Sequence, residues 1–266
     1  MADTIVLAAP DSSAADIQAS NYDWNPDSLT SAIKSIFSQG GNEIEARPGL
    51  YKGQGELVIG SNTTFRGSRQ IEIPAVKSTV LEPSPSSMAV FASKQTASST
   101  TEAGGNTFRL VSDWAASGIL LQDLYQAGYV DLYLQAVRNV IARRVVSHNY
   151  HSGSYPNGTR ANLGYGRTGA FWLTGNTENV LFDQCVSQFS SHHGFLNHGS
   201  LGYWFRGIQY KDCRALYSGC GQLRGDTQAL INESTGAMPQ TQGYGYQDWS
   251  VGFDFCEAGN IDGVTA

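Results

Sequence analysis

The sequence predicts an all-β fold in which short parallel strands stack coil upon coil, with a single helix near the start. Three observations carry this. One template recurs: "GILLQDLYQ" from Gly118, "NVIARRVVSHN" from Asn139, "NVLFDQCVSQF" from Asn179 and "GIQYKDCRALY" from Gly207. A Gly-aromatic element precedes its later copies, at Gly128-Tyr129, Gly169-Ala170-Phe171 and Gly194-Phe195, and appears again at Gly252-Phe253. Finally, the chain holds 30 glycines and only 15% charged residues, the composition of a turn-rich β protein.

Each template copy opens on Asn or Gly and continues with apolar residues two apart: Val140 and Ala142, Val180 and Phe182, Ile208 and Tyr210. A polar pair follows (Gln122-Asp123, Arg143-Arg144, Asp183-Gln184, Lys211-Asp212), and small or apolar residues then resume at Val145, Cys185 and Cys213. Alternation on both sides of a polar kink means two short strands, each with one face inward. One such unit cannot bury its inward face alone, whereas stacked units can. Spacing between copies varies, so strand positions are constant and corner loops differ in length. Val140, Val180 and Ile208 are expected in one inward stack, and Val145, Cys185 and Cys213 in another. Asp183 and Lys211, with Arg143 one coil away, should form an outward ladder of ion pairs.

At the N-terminal side, "NPDSLTSAIKSIFSQ" reads as a capped amphipathic helix near Pro26–Ser38, with Leu29, Ile33, Ile36 and Phe37 on one face. "NEIEARPGLYKGQGELVIGSNTTFRGS" follows, strands alternating with turns. The helix and strand opening, together with the repeat, resembles the pectin-lyase-like right-handed parallel β-helix proteins. That resemblance implies a single-stranded right-handed parallel β-helix over residues 1–266. It places an N-terminal strand and capping helix in residues 1–45 and the coils in 46–266. The final "GVTA" begins a template copy, so a further segment or a partner chain is expected to cover the last coil.

Composition narrows the function. A net charge of −6 argues against nucleic acid, since no surface here neutralises a run of phosphates. No apolar run suffices for membrane insertion, and "MADTIVLAAP" lacks the pattern of a signal peptide. Four widely spaced cysteines do not suggest a disulfide framework; Cys185 and Cys213 are expected as buried, unbridged thiols. Three sequons, at Asn62, Asn157 and Asn232, would suit a secreted or cell-surface protein.

Candidate site residues follow from loop placement. Two long insertions, about 149–168 and 218–251, leave the same corner and flank a coil whose own corner is "FSSHH". The cleft between them would have His192 and His193 as its floor, with His151, Tyr155 and Tyr165 as further acid–base groups. Arg160, Arg167, Arg214 and Arg224 would pair with uronate or sulfate groups. Tyr244, Tyr246 and Trp249 would stack on sugar rings. An acidic polysaccharide or other glycan is the expected partner, and no metal or cofactor is required. β-Elimination needs a base, an acid and a cation against the carboxylate, all available in this set. A hydrolase would need paired carboxylates about 5–9 Å apart, with Asp226, Asp248 and Asp254 as the possible acids. A non-catalytic surface or adhesin domain is the rival class.

Overall fold

The computed structural model of the chain describes residues 4–25, 31–53, 55–93, 108–127, 130–148, 169–188, 193–216 and 253–262. It opens with β1 (Ile5–Ala8), α1 (Ala14–Gln18), β2 (Tyr22–Asp23) and α2 (Ser31–Gln39). Ser13 caps α1 by accepting from the Asp16 amide. The expected helix is therefore present as α2, with Ile33 and Phe37 buried. Residues 26–30, including Leu29, lie outside the described residues. Phe37 packs edge-on against Phe65, ring centroids 4.8 Å apart.

Beyond α2 the chain repeats a circuit of three strands. The first circuit is β3 (Glu43–Ala46), β4 (Gly49–Gly53) and β5 (Gly55–Ile59), and the second is β6 (Thr64–Gly67), β7 (Ala89–Ser93) and β8 (Phe108–Ser112). The third is β9 (Ser117–Gln122), β10 (Tyr125–Ala127) and β11 (Val130–Gln135); the fourth is β12 (Arg138–Arg143), β13 (Val146–His148) and β14 (Gly169–Thr174). Then come β15 (Thr177–Asp183), β16 (Val186–Gln188), the long β17 (His193–Lys211), β18 (Arg214–Leu216) and β19 (Phe253–Asp262). Strands pair in parallel with their equivalents in the neighbouring circuits. Three parallel stacks result. The first runs from β2 and β1 through β3 to the C-terminal half of β17, the second from β4 to β18, and the third from β5 to the N-terminal half of β17, with β19 pairing along β17. Where earlier circuits turn at Ala115, Ala136 and Gly175 with positive φ, β17 runs on as strand and fuses the first and third stacks into one sheet.

The expected columns are present. Val140, Val180 and Ile208 are register partners, each at most 1% exposed. Val145 and Cys185 are buried, with Cys213 packed against the same core. Aromatic rings fill the interior: Phe171, Phe195 and Phe253 stack at 4.5 and 4.7 Å, and Phe182 stacks on Tyr210 at 5.1 Å. Outside, Asp183 bonds Arg143 at 2.9 Å and faces Lys211 at 3.9 Å, as the ladder predicts. Cys185 and Cys213 are free thiols. Cys213 is only half-buried, contrary to expectation, because its rung is the last of the second stack among the described residues.

Backbone conformation explains the template's opening letter. Gly118, Asn139, Asn179 and Gly207 all have φ between 52° and 71°, and glycine and asparagine adopt that region at least cost. The polar pair has the same origin: its second members Asp123, Arg144, Gln184 and Asp212 are also left-handed.

Residues 68–88, between β6 and β7, form a feature the repeat does not contain. They lie lengthwise over the outer face of the second stack, where Ile71, Ile73, Leu81 and Met88 pack with Val90, Tyr125, Val146 and Val186. The segment is fastened to several circuits. Ile71 N donates to Asp123 Oδ1 at 2.9 Å, and Leu81 N donates to Gln188 Oε1 at 3.1 Å. Arg214 Nη1 donates to the Pro74 carbonyl at 2.7 Å. Beneath Leu81, Tyr125, His148 and Gln188 form a fully buried cluster, Tyr125 donating to the Leu81 carbonyl at 2.6 Å.

Candidate functional site

Register places the insertions. β13 leads to β14, β16 to β17 and β18 to β19, so residues 149–168, 189–192 and 217–252 all connect the second stack to the third. They do so in three successive circuits. Residues 94–107 join the same two stacks further back, between β7 and β8. The shared corner of the two long insertions is thus a property of the strand order.

Of the sequence-derived candidates, His151, Tyr155, Arg160, Tyr165, Arg167, His192, Arg224, Tyr244, Tyr246 and Trp249 lie outside the described residues, as do Asp226 and Asp248. His193 opens β17 opposite Gly169 and is 1% exposed. Strand alternation puts it on the same face as Phe195, which belongs to the core. It is therefore not an open floor. Arg214 sits on the outer face of the second stack, opposite Val186, with Nη1 bound to the Pro74 carbonyl. It is committed to residues 68–88 and stands apart from the corner.

The outer face of the third stack supplies other groups. Tyr133 and Trp172 are register partners on β11 and β14, their rings 4.3 Å apart at 35°. His198 on β17 lies 6.1 Å from the Trp172 ring. All three are partly exposed, and their neighbours Leu132, Phe171 and Asn197 point into the core. Indole Nε1 of Trp172 is buried and donates to no acceptor among the described residues. Along the same face, Glu56 and Arg109 are register partners on β5 and β8. A tilted aromatic pair and an imidazole, with Glu56 and Arg109 on neighbouring strands, can take the C–H face of a sugar and its polar substituents. The sequence carried a signal for Trp172: it follows the inward Phe171 of a Gly-aromatic element, and alternation turns it outward.

Comparison of the chain with family models, with curated proteins and with solved structures gives no match.

Proposed function

We propose that the chain is a right-handed parallel β-helix, covered at its first coil by α2, that binds an acidic polysaccharide and cleaves it by β-elimination. In this reading it works outside the cell or at its surface. One observation carries the proposal: three successive connections lead from the second stack to the third and hold between them His151, His192, Tyr155, Tyr165, Arg160, Arg167 and Arg224, and the third stack carries the Tyr133–Trp172–His198 row. Strands that hold a row of rings, with acid–base and cationic groups on the connections between them, match the usual division between scaffold and site.

The chemistry asks little of the protein. A base takes the proton at C5 of the uronate, and the electron pair forms the C4–C5 double bond. The C4–O bond then breaks and the leaving oxygen takes a proton. An arginine against the carboxylate stabilises the charge that builds up on it. His192, His151, Tyr155 and Tyr165 are the base and acid candidates, and Arg160, Arg167 and Arg224 the cations. Imidazole suits the base role because its ordinary pKa lies near neutrality.

A second reading, a surface domain that binds acidic glycans without cleaving them, is favoured by the inward face of His193 and the prior commitment of Arg214. One experiment addresses both. The protein is incubated with polygalacturonate, alginate and a glycosaminoglycan while the ultraviolet absorbance of the unsaturated product is followed and binding is measured by titration. The lyase reading expects product, with kcat/KM falling about tenfold, or ~1.4 kcal/mol, in Trp172→Ala. Binding without product selects the second reading. No binding to any of the three overturns both.

A further inference from the structure

The polar cluster beneath Leu81 belongs to neither reading of the function. Tyr125, His148 and Gln188 stand on β10, β13 and β16. Tyr125 packs in the outer apolar cluster with Val146 and Val186, and alternation puts His148 and Gln188 on that same outward face. Yet all three are 0% exposed, because residues 68–88 lie over them. In register, His148 stands between Ala127 and Gln188, neither of which carries a charge.

Leu81 fixes which way the Gln188 amide points. Its N–H donates to Oε1 at 3.1 Å and its carbonyl accepts from Nε2. A flipped amide would set donor against donor and oxygen against oxygen. Nε2 therefore meets Nδ1 of His148, at 2.8 Å, as a donor, and Nδ1 must accept, as only an imidazole with that nitrogen unprotonated can. The Tyr125 hydroxyl completes the ring of contacts, touching Nδ1 and lying 2.6 Å from the Leu81 carbonyl. Protonating the ring turns Nδ1 into a donor that faces a donor, and places a positive charge out of reach of water. The titratable groups around it do not compensate. Tyr125 is a phenol, uncharged near neutrality. Glu82, next to Leu81, is exposed, where water screens it. Asp123 is taken by Arg144 and the Ile71 amide. Arg214, in the column of Tyr125, is itself a cation, bound to the Pro74 carbonyl.

We infer that the attachment at Leu81 is a proton-operated latch, closed over a neutral His148 and released in acid, when the chain around Leu81 lifts from the second stack. The direction follows from the proton count. The closed latch excludes a proton that an open imidazole takes up, so its hold is complete above the ordinary imidazole value of about 6.5 and weakens as pH falls below it. Ile71 and Pro74 keep their own bonds, which do not involve His148, and the circuits stay folded. Release uncovers the apolar strip of Val146 and Val186. The latch stands independently of the glycan readings, since it needs neither cleavage nor binding.

The test follows hydrogen exchange in the intact protein from about pH 7.5 to about pH 5, across the imidazole range, each amide rate being divided by its rate in an unstructured chain. The opening constant at the Leu81 amide should rise about tenfold per pH unit below the imidazole value, the slope for one linked proton. Amides of β12 and β15 should keep their protection. His148→Asn, whose Oδ1 preserves an acceptor near Nδ1 but takes up no proton, should give a flat profile. In the parent protein the His148 ring signals, followed by NMR, should move to the imidazolium position over the same pH range, a readout that does not depend on the variant folding. The inference is overturned if the Leu81 opening constant does not change with pH, or if β12 and β15 open together with it. It is equally overturned if His148→Asn keeps the slope, or if the imidazolium forms while Leu81 stays protected.

Discussion

Asp123 is required by three things at once. Its φ of 55° lies in the left-handed region, and it is 3% exposed. Its carboxylate takes Nε and Nη2 of Arg144 at 2.6 and 2.8 Å, as well as the amide of Ile71 at 2.9 Å. The paired charge in turn raises the pKa of Arg144 above its ordinary value. Replacing Asp123 with alanine leaves a mostly buried guanidinium without its partner, and the loss expected is about 3–5 kcal/mol in urea unfolding. Other buried groups set an alkaline limit. Burial, followed by the neighbouring thiol, pushes Cys185 well above the ordinary 9.0. Burial also raises Tyr210 and Tyr51 above the ordinary 10.0. Each folded pKa exceeds its unfolded value, so the unfolded chain loses these protons first. Stability is intact below about pH 9 and falls as pH rises through 9 and then 10. Urea midpoints at about pH 8 and about pH 10.5 measure the fall, and Cys185→Ala should remove its earlier part. The thiol column was legible from alternation alone. The burial of Asp123 was not, because the segment that covers it lies some fifty residues upstream.

Among the elements, the strands of the first stack were the most legible, since their opening Asn or Gly marks a left-handed bend that few other residues tolerate. Residues 68–88 were the least legible. They have no period of their own, and the apolar outer face they cover, Val90, Val146 and Val186, falls on strands of only three to five residues. Their attachment at Leu81 is open to direct measurement. Gln188 both accepts from the Leu81 amide and donates to its carbonyl, and Tyr125 donates to the same carbonyl. Gln188→Ala should cost about 1–3 kcal/mol. It should also speed hydrogen exchange at the Leu81 amide and open residues 68–88 to protease. Tyr125→Phe should act in the same direction and by less, because the Gln188 pair survives.

For the whole molecule, the sequence foretold that strand positions recur from coil to coil and that the two long insertions share one corner. It did not tell which histidine faces outward, because alternation cannot be counted through a corner of unknown shape; His193 faces in, and His198 stands beside Trp172. The lengthwise segment has a further consequence, for how the protein comes apart. A stack of repeats held only by neighbour contacts frays from its ends, circuit by circuit. Residues 68–88 leave the second circuit and fasten to Asp123 in the third, Gln188 in the fifth and Arg214 in the sixth. These ties skip neighbours, so the late circuits cannot peel away without straining the early ones. Unfolding should be cooperative, with denaturation midpoints from circular dichroism and tryptophan fluorescence coinciding. In Arg214→Ala the two should separate, the last circuits melting ahead of the rest.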